Sequence, residues 1–296
     1  MASSYASCES KPGICLTGDC ALDSLGRARS EMTDFLQLLS TDFDGTLHSD
    51  YEWPAVPEAL QDRLRELQAI GAKWCINTGR DYISLMEGMA RAELKVQPDF
   101  LVAVEREIYL REGNEFVPHS DWNNLCESEQ EQVFEQVRPA LPKLIEWIRD
   151  RFDAEVYEDA FSPFCLIAKD NEDCDAIHAQ ADAFLSDWPD LDFVRNDIYA
   201  RLSHTAFNKG SALGEVARLS GVNSSVTLAA GDHLNDLPML DPRYAKWTVT
   251  QHNAVEKVKA HVKSHGGFVS QQPCGAGLIE GIDWAMNELK SARSLD

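Results

Sequence analysis

FLQLLSTDFDGTL, residues 35–47, is an apolar run that stops abruptly at two aspartates, Asp42 and Asp44. Leu36 to Leu39 predict a buried strand, and Gly45 and Thr46 the tight turn after it. Side chains two apart on a strand share a face. The two carboxylates therefore converge just past the strand's C-terminal end, where open α/β sheets place their ligands. Carboxylates this close repel unless a cation lies between them or one carries a proton. The first arrangement makes a magnesium site from hard oxygen ligands, and the second sets a nucleophile beside a general acid/base. On its own the pattern also fits an Asx-rich surface turn.

Working outward from this stretch, strand and helix signals alternate. Val56, Leu60, Leu64 and Leu67 recur at helical spacing, Gly71 supplies a stop, and KWCIN (73–77) reads as a strand leading to Thr78-Gly79-Arg80. A helix capped by Asp81 and a strand at FLVAV (100–104) follow. Such alternation predicts a parallel sheet with right-handed crossovers. Between Tyr109 and Arg201 the texture changes: charges thicken, and EVYED, FCLIAK and FVRND are strand-like segments spaced by helices. This reads as an inserted α/β module, with a long helical stretch, Glu127 to Phe152, that must break near Pro139 and Pro142. The alternation resumes at Asn208, with SALGEVARLSG as helix, SVTLAAG as strand, LPML as a short helix, KWTVT as strand and a last helix from about Leu278 to Lys290. The expected organisation is a flexible extension over 1–34, a core built from 35–108 and 202–296, and an inserted domain over 109–201.

Composition narrows the function. A formal charge of −22 over 296 residues excludes general binding to a phosphate backbone, which is driven by basic residues. Any phosphate here needs a local cation. No apolar run is long enough to span a bilayer, and the start lacks a secretory pattern, so a cytoplasmic protein with no membrane or nucleic-acid partner is expected. Cys75 and Cys165 fall in apolar runs and read as core; Cys8, Cys15 and Cys20 lie in a Ser/Gly-rich leader without CxxC or nearby His to support zinc.

Three more segments carry chemistry. Thr78 and Gly79 offer a hydroxyl and main-chain N–H groups at a helix start for a phosphate oxygen, although an ordinary N-cap reads the same way. Lys209 in FNKG can set a point charge on phosphate, against the ordinary reading of a solvated loop lysine. In AAGDHLNDLPML, Asp232 can complete an oxygen shell for Mg2+, with Asn235 and Asp236 reaching back in support and Asn235 also a candidate for the phosphate. Trp53 and Trp122 read as packing anchors with one wet edge, with sugar stacking as the alternative, and His48 as a hydrated histidine at the site mouth.

In this order and spacing, DxDGT, TGR, NKG and GDxxND resemble the haloacid dehalogenase superfamily, in the branch with a large α/β (type II, C2B-like) cap. PDFLVAVEREIYL, NKGSAL, GDHLNDLPML and QHNA look most like the sucrose-phosphate and mannosyl-phosphoglycerate phosphatase group. The resemblance implies a Rossmannoid core with a parallel central sheet plus the inserted cap. It makes Asp42 the nucleophile and Asp44 the acid/base, with Thr78 and Lys209 holding phosphate. Magnesium would bind Asp42, Asp232 and the main-chain carbonyl of Asp44, with Asn235 and Asp236 behind. The implied activity is hydrolysis of a small phosphomonoester, a sugar or polyol phosphate, through an aspartyl phosphate, by a monomer or small homo-oligomer. Alternatives are a phosphomutase on the same substrates and a non-catalytic sugar-phosphate-binding protein; a dehalogenase would need neither Asp44 nor the metal carboxylates. One departure bears on substrate: Val104-Glu105-Arg106-Glu107 puts a charged residue where many relatives turn on a small one.

Overall fold

The apolar run before the aspartates is a fully buried strand, β1 (Leu38–Thr41), in the computed structural model, which describes residues 35–293. The expected extension over 1–34, with Cys8, Cys15 and Cys20, lies outside the described residues. After β1 the chain forms α1 (Glu58–Ala69), β2 (Lys73–Asn77), α2 (Tyr82–Arg91) and β3 (Phe100–Ala103), then a hairpin of β4 (Glu107–Glu112) and β5 (Glu115–Pro118). Next come α3 (Ser120–Val137), α4 (Leu141–Arg149), β6 (Glu155–Tyr157), β7 (Cys165–Ile167), α5 (Asn171–Leu185), β8 (Leu191–Asn196) and β9 (Tyr199–His204). The closing part is α6 (Lys209–Ser220), β10 (Thr227–Ala230), β11 (Trp247–Thr250), α7 (Glu256–Ser264), β12 (Phe268–Val269) and α8 (Cys274–Arg293).

Eight strands form one sheet in the order β12-β11-β10-β1-β2-β3-β4-β5. The pairings from β12 to β3 are parallel, and the β4–β5 hairpin adds an antiparallel edge. This fits the burial: every position of β1, β3 and β10 is buried, as expected of strands covered on both faces. The leucine spacing in α1 buries Leu60, Leu64 and Leu67 in one cluster with Ile282 and Met286 of α8. Burial of each such leucine contributes about 1.5–3 kcal/mol. On the other sheet face, Leu213 and Val216 of α6 and Val258 and Val262 of α7 pack with Cys75 and Val102.

A second sheet, antiparallel and four-stranded in the order β6-β7-β9-β8, has its own cluster, in which Leu166, Phe193 and Leu202 meet Leu144, Ile148 and Ile177 of α4 and α5. The expected break at the prolines is present: α3 ends at Val137 and α4 begins at Leu141, with Pro142 in its first turn, where no donor N–H is required. Three details differ from the sequence reading. Strands β4 and β5 pair into the large sheet, so residues 107–118 extend it although the insertion was expected from 109. Strand β9 was not foreseen, because its alternating Tyr199, Arg201 and Ser203 look like loop when seen without their partners. LPML is a turn, and the short helix is a 3-10 turn just before it, Leu234–Asp236.

Candidate active site

Adjacent strands β10, β1 and β2 deliver their C-terminal ends to one place. Asp42 follows β1 directly, its N–H donating to Ala230 O at 2.9 Å, so its position is fixed by the sheet. Gly45 has φ 75°, and a Cβ there would overlap the Asp232 carboxylate, so the DGT turn needs glycine for both reasons. Thr46 then donates from Oγ1 to Asp232 Oδ1 at 2.8 Å. Asn253, beyond β11, donates to Gly45 O at 2.8 Å and to Asp232 Oδ2 at 3.3 Å.

Lys209 is no solvated loop residue. It opens α6, capped by Asn208, whose side chain accepts from the N–H groups of Gly210 and Ser211. Its own carbonyl accepts from Asn77 Nδ2 of β2 at 2.9 Å. Fully buried, its ammonium donates to Asp42 Oδ1 at 2.7 Å and to Asp236 Oδ1 at 2.6 Å. The other Asp236 oxygen accepts the N–H groups of Asp232 (2.8 Å) and His233 (2.9 Å), so Asp236 shapes the loop that presents Asp232.

Asp42, Asp232 and Asp236 each bring one carboxylate oxygen within 4.8 Å of the other two. One ammonium for three carboxylates leaves the cluster short of positive charge. Burial pushes the Asp42 carboxyl well above its usual range despite Lys209, with Asp236 and Asp232 adding to the rise. Burial and then Asp236 push Asp232 up to about 7. For Lys209, burial opposes the charge, but Asp236, Asp42 and Glu105 overcome it and hold the ammonium above its ordinary value. A divalent cation with hard oxygen ligands supplies the missing charge, so the donor set fits one.

Asp44 turns away from this cluster. Its carboxylate meets Arg80 at two points, and His48 Nδ1 stands 3.8 Å from Oδ1. His48 itself is buried and stacked on Phe43, 5.0 Å between ring centres, and is not the hydrated loop residue expected. Thr78 and Gly79 precede the α2 cap instead of opening the helix: Asp81 is the cap, accepting Ser84 N–H at 2.9 Å. The Thr78 N–H is committed to Val102 O of β3, and its hydroxyl accepts Arg80 N–H at 3.2 Å. Asn235 Nδ2 donates to Glu105 Oε1 at 2.9 Å.

A cavity of 710 Å³ opens over these groups, floored by Asp42, Asp44, Thr78 and Asn235 and roofed by the second sheet. Register explains the roof: Tyr157 pairs with Cys165, Cys165 with Arg201, and Arg201 with Val194, one row of side chains on the face away from the helices. Arg201 Nη2 donates to Gly79 O at 2.6 Å, and the Asp197 N–H reaches the His233 ring at 3.1 Å, so sheet and floor touch. Trp122 is an anchor, donating to Arg106 O at 2.7 Å and packed edge-on to Phe207. Trp53, in contrast, is 78 % exposed. Sequence reading missed Thr46, Arg80, Arg201 and Asn253 as contributors, and noticed Glu105 only as a charged turn residue bearing on substrate. Arg80 stands inside TGR and Asn253 inside QHNA, so both were visible; nothing local marks Arg201.

Two family profiles match in succession: sucrose-6F-phosphate phosphohydrolase over residues 35–151 and haloacid dehalogenase-like hydrolase over residues 129–271. No curated protein matches. Among solved structures, the sucrose-phosphatase of Synechocystis sp. PCC6803, in complex with sucrose and phosphate, superposes with a TM-score of 0.64 at 18% identity, over 85% of this chain and 98% of that one. SMU.1108c of Streptococcus mutans UA159 gives 0.59 at 20% identity over 84% and 98%. BT1666 of Bacteroides thetaiotaomicron, among phosphatases of the haloalkanoate superfamily, gives 0.55 at 21% identity over 89% and 99%. At such identities the structural likenesses establish a shared fold.

Proposed function

We propose that this chain, matched in part by profiles of haloacid dehalogenase-like hydrolase and sucrose-6F-phosphate phosphohydrolase, is a phosphatase of that kind and hydrolyses a small sugar or polyol phosphate through an aspartyl phosphate on Asp42. The observation that carries the reading is the Lys209 ammonium bridging Asp42 and Asp236 beside Asp232. A carboxylate so placed is aimed by its neighbours, and the same ammonium is at hand for the oxygens of an incoming phosphoryl group.

In the first half-reaction a carboxylate oxygen of Asp42 bonds to phosphorus as the bond to the leaving oxygen breaks, and Asp44 gives that oxygen its proton. In the second, Asp44 takes a proton from water, the water oxygen bonds to phosphorus, and the acyl phosphate breaks to restore Asp42. Paired with Arg80, Asp44 can only accept, so the pair must loosen for it to donate. Lys209 and the Thr78 hydroxyl hold the phosphoryl oxygens, with Gly79 and Asn235 at the rim. Asp42, Asp232 and the Asp44 carbonyl would hold magnesium, with Asp236 and Asn235 in support, and the ion when bound would neutralise phosphoryl charge. The second sheet and its helices act as the cap, covering the site so that bulk water is excluded. Tyr157 and Tyr199, 40 % and 53 % exposed, give the roof aromatic surface suited to a sugar.

The test is phosphate release from p-nitrophenyl phosphate with magnesium. Asp42→Asn is expected to lose about 10⁴-fold or more. Full activity in purified Asp42→Asn would rule the mechanism out.

A further inference from the structure

Val104 and Glu105 lie in succession in the left-handed region, φ 43° and 69°, where glycine is the ordinary solution. Three bonds pin them there: Val104 N–H to Arg80 O (2.8 Å), Glu105 N–H to Thr78 O (2.9 Å), and the buried Arg106 Nη1 to Val104 O (3.1 Å). The effect is to lift a carboxylate over the phosphate loop. A methyl group built on Gly79 would stand 3.3 Å from Glu105 Oε1, 3.6 Å from Arg201 Nη2 and 3.7 Å from Asn235 Nδ2. Three separate segments thus converge on one point beside Thr78. Glu105 is 4 % exposed, and its bond to Asn235 Nδ2 fixes the amide, because a carboxylate there can only accept. Asn235 Oδ1, buried and without a hydrogen-bond partner among the described residues, is left for a donor that comes with the ligand.

Within the cavity, carboxylates outnumber guanidiniums: Asp159 and Asp197 add to Glu105 in its lining. Arg80 is taken by Asp44. Arg201 is committed to the Gly79 carbonyl, with Glu105 across the same glycine from it. We infer that Glu105 is a specificity-determining residue: its charge selects phosphomonoesters whose leaving group is an uncharged polyol and rejects those whose leaving group carries a carboxylate. An approaching carboxylate would meet like charge in a half-enclosed cavity where water screens weakly, whereas a hydroxyl can donate to it.

The inference rests on the phosphatase reading, so its test reads binding separately from turnover. Glucose 6-phosphate and 3-phosphoglycerate are titrated calorimetrically, with magnesium, into Asp42→Asn and into Asp42→Asn/Glu105→Gln. The first should bind glucose 6-phosphate about tenfold tighter or more, and Glu105→Gln should shrink that ratio about tenfold. Glu105→Gly, which suits the left-handed backbone, gives the same readout if the glutamine variant folds poorly. An unchanged ratio in both double variants overturns the role of Glu105 and leaves the phosphatase intact. Absent turnover in the unmodified chain, with the ratio shifting as expected, overturns the phosphatase and leaves the selection of charge.

Discussion

Arg80 holds Asp44 by two parallel hydrogen bonds, Nε to Oδ2 and Nη2 to Oδ1, each 2.6 Å long. Its guanidinium also lies 5.1 Å from the Phe43 ring centre, so the clamp is braced from behind. Arg80 thereby aims Asp44 as well as competing for it. Replacing it by Lys keeps the charge and loses the two-point geometry. Arg80→Lys is expected to slow hydrolysis of an alkyl phosphate, whose leaving oxygen needs a proton, by about tenfold or more. Cleavage of p-nitrophenyl phosphate, whose leaving group needs little help, should change far less. Equal losses on the two substrates would show that Arg80 does not act through Asp44.

Lys209→Met removes the ammonium and leaves Asp42 and Asp236 buried without it. Breaking a buried pair from one side costs about 3–5 kcal/mol, and the expected loss of unfolding free energy in urea, with EDTA at pH 8, is toward the lower end. Magnesium should recover part of it. A free energy of unfolding unchanged from the parent would show that Lys209 does not neutralise the cluster.

The raised Asp232 value gives a pH dependence with a definite sign. Its carboxyl titrates at about 7 in the folded chain against an ordinary 3.8, so between those pH values the folded form holds a proton that the unfolded form has released. Stability from this group is therefore present at low pH and lost as pH rises through that window. After allowance for partial exposure the loss is about 1–2 kcal/mol, a few degrees in Tm. Thermal melts in EDTA from pH 5 to 8 should show a decline attributable to this carboxyl, absent in Asp232→Asn and reduced by magnesium.

Much of this was legible in the sequence because the relevant interactions are local. The strand-then-turn at residues 38–46, the leucine spacing of α1, the cap at Asp81 and the helix break at Pro139 and Pro142 depend on neighbours a few residues away. Asp42 and Asp232 could be named because parallel strands must bring their C-terminal ends to one edge, and Lys209 because FNKG offers a cation at a helix start. Partner choice was not legible. That Asp44 would meet Arg80, 36 residues on, or that Asn235 would meet Glu105, 130 residues back, depends on pairings that no local pattern encodes. Strand β9 was hidden for the same reason: half its side chains face a cavity and half a separate core.

The left-handed turn makes a prediction that runs against the usual rule. At most positions Ala stabilises relative to Gly by restricting the unfolded chain. At Glu105, φ 69°, the order should invert, with Glu105→Gly more stable than Glu105→Ala by about 1 kcal/mol, because the Cβ clash is paid only by alanine. Urea midpoints of the two variants decide it. The comparison isolates the backbone, since both lack the carboxylate.

The second sheet keeps its packing to itself, with Phe164, Phe193 and Leu202 sealed against α4 and α5 while Tyr157, Arg201 and Val194 face the cavity. Apart from Arg201, which donates to Gly79 O, replacements in the row that faces the cavity therefore touch neither the β1–β10 ledge nor its carboxylates. A lineage could exchange what the roof recognises, residue by residue, without renegotiating the chemistry below.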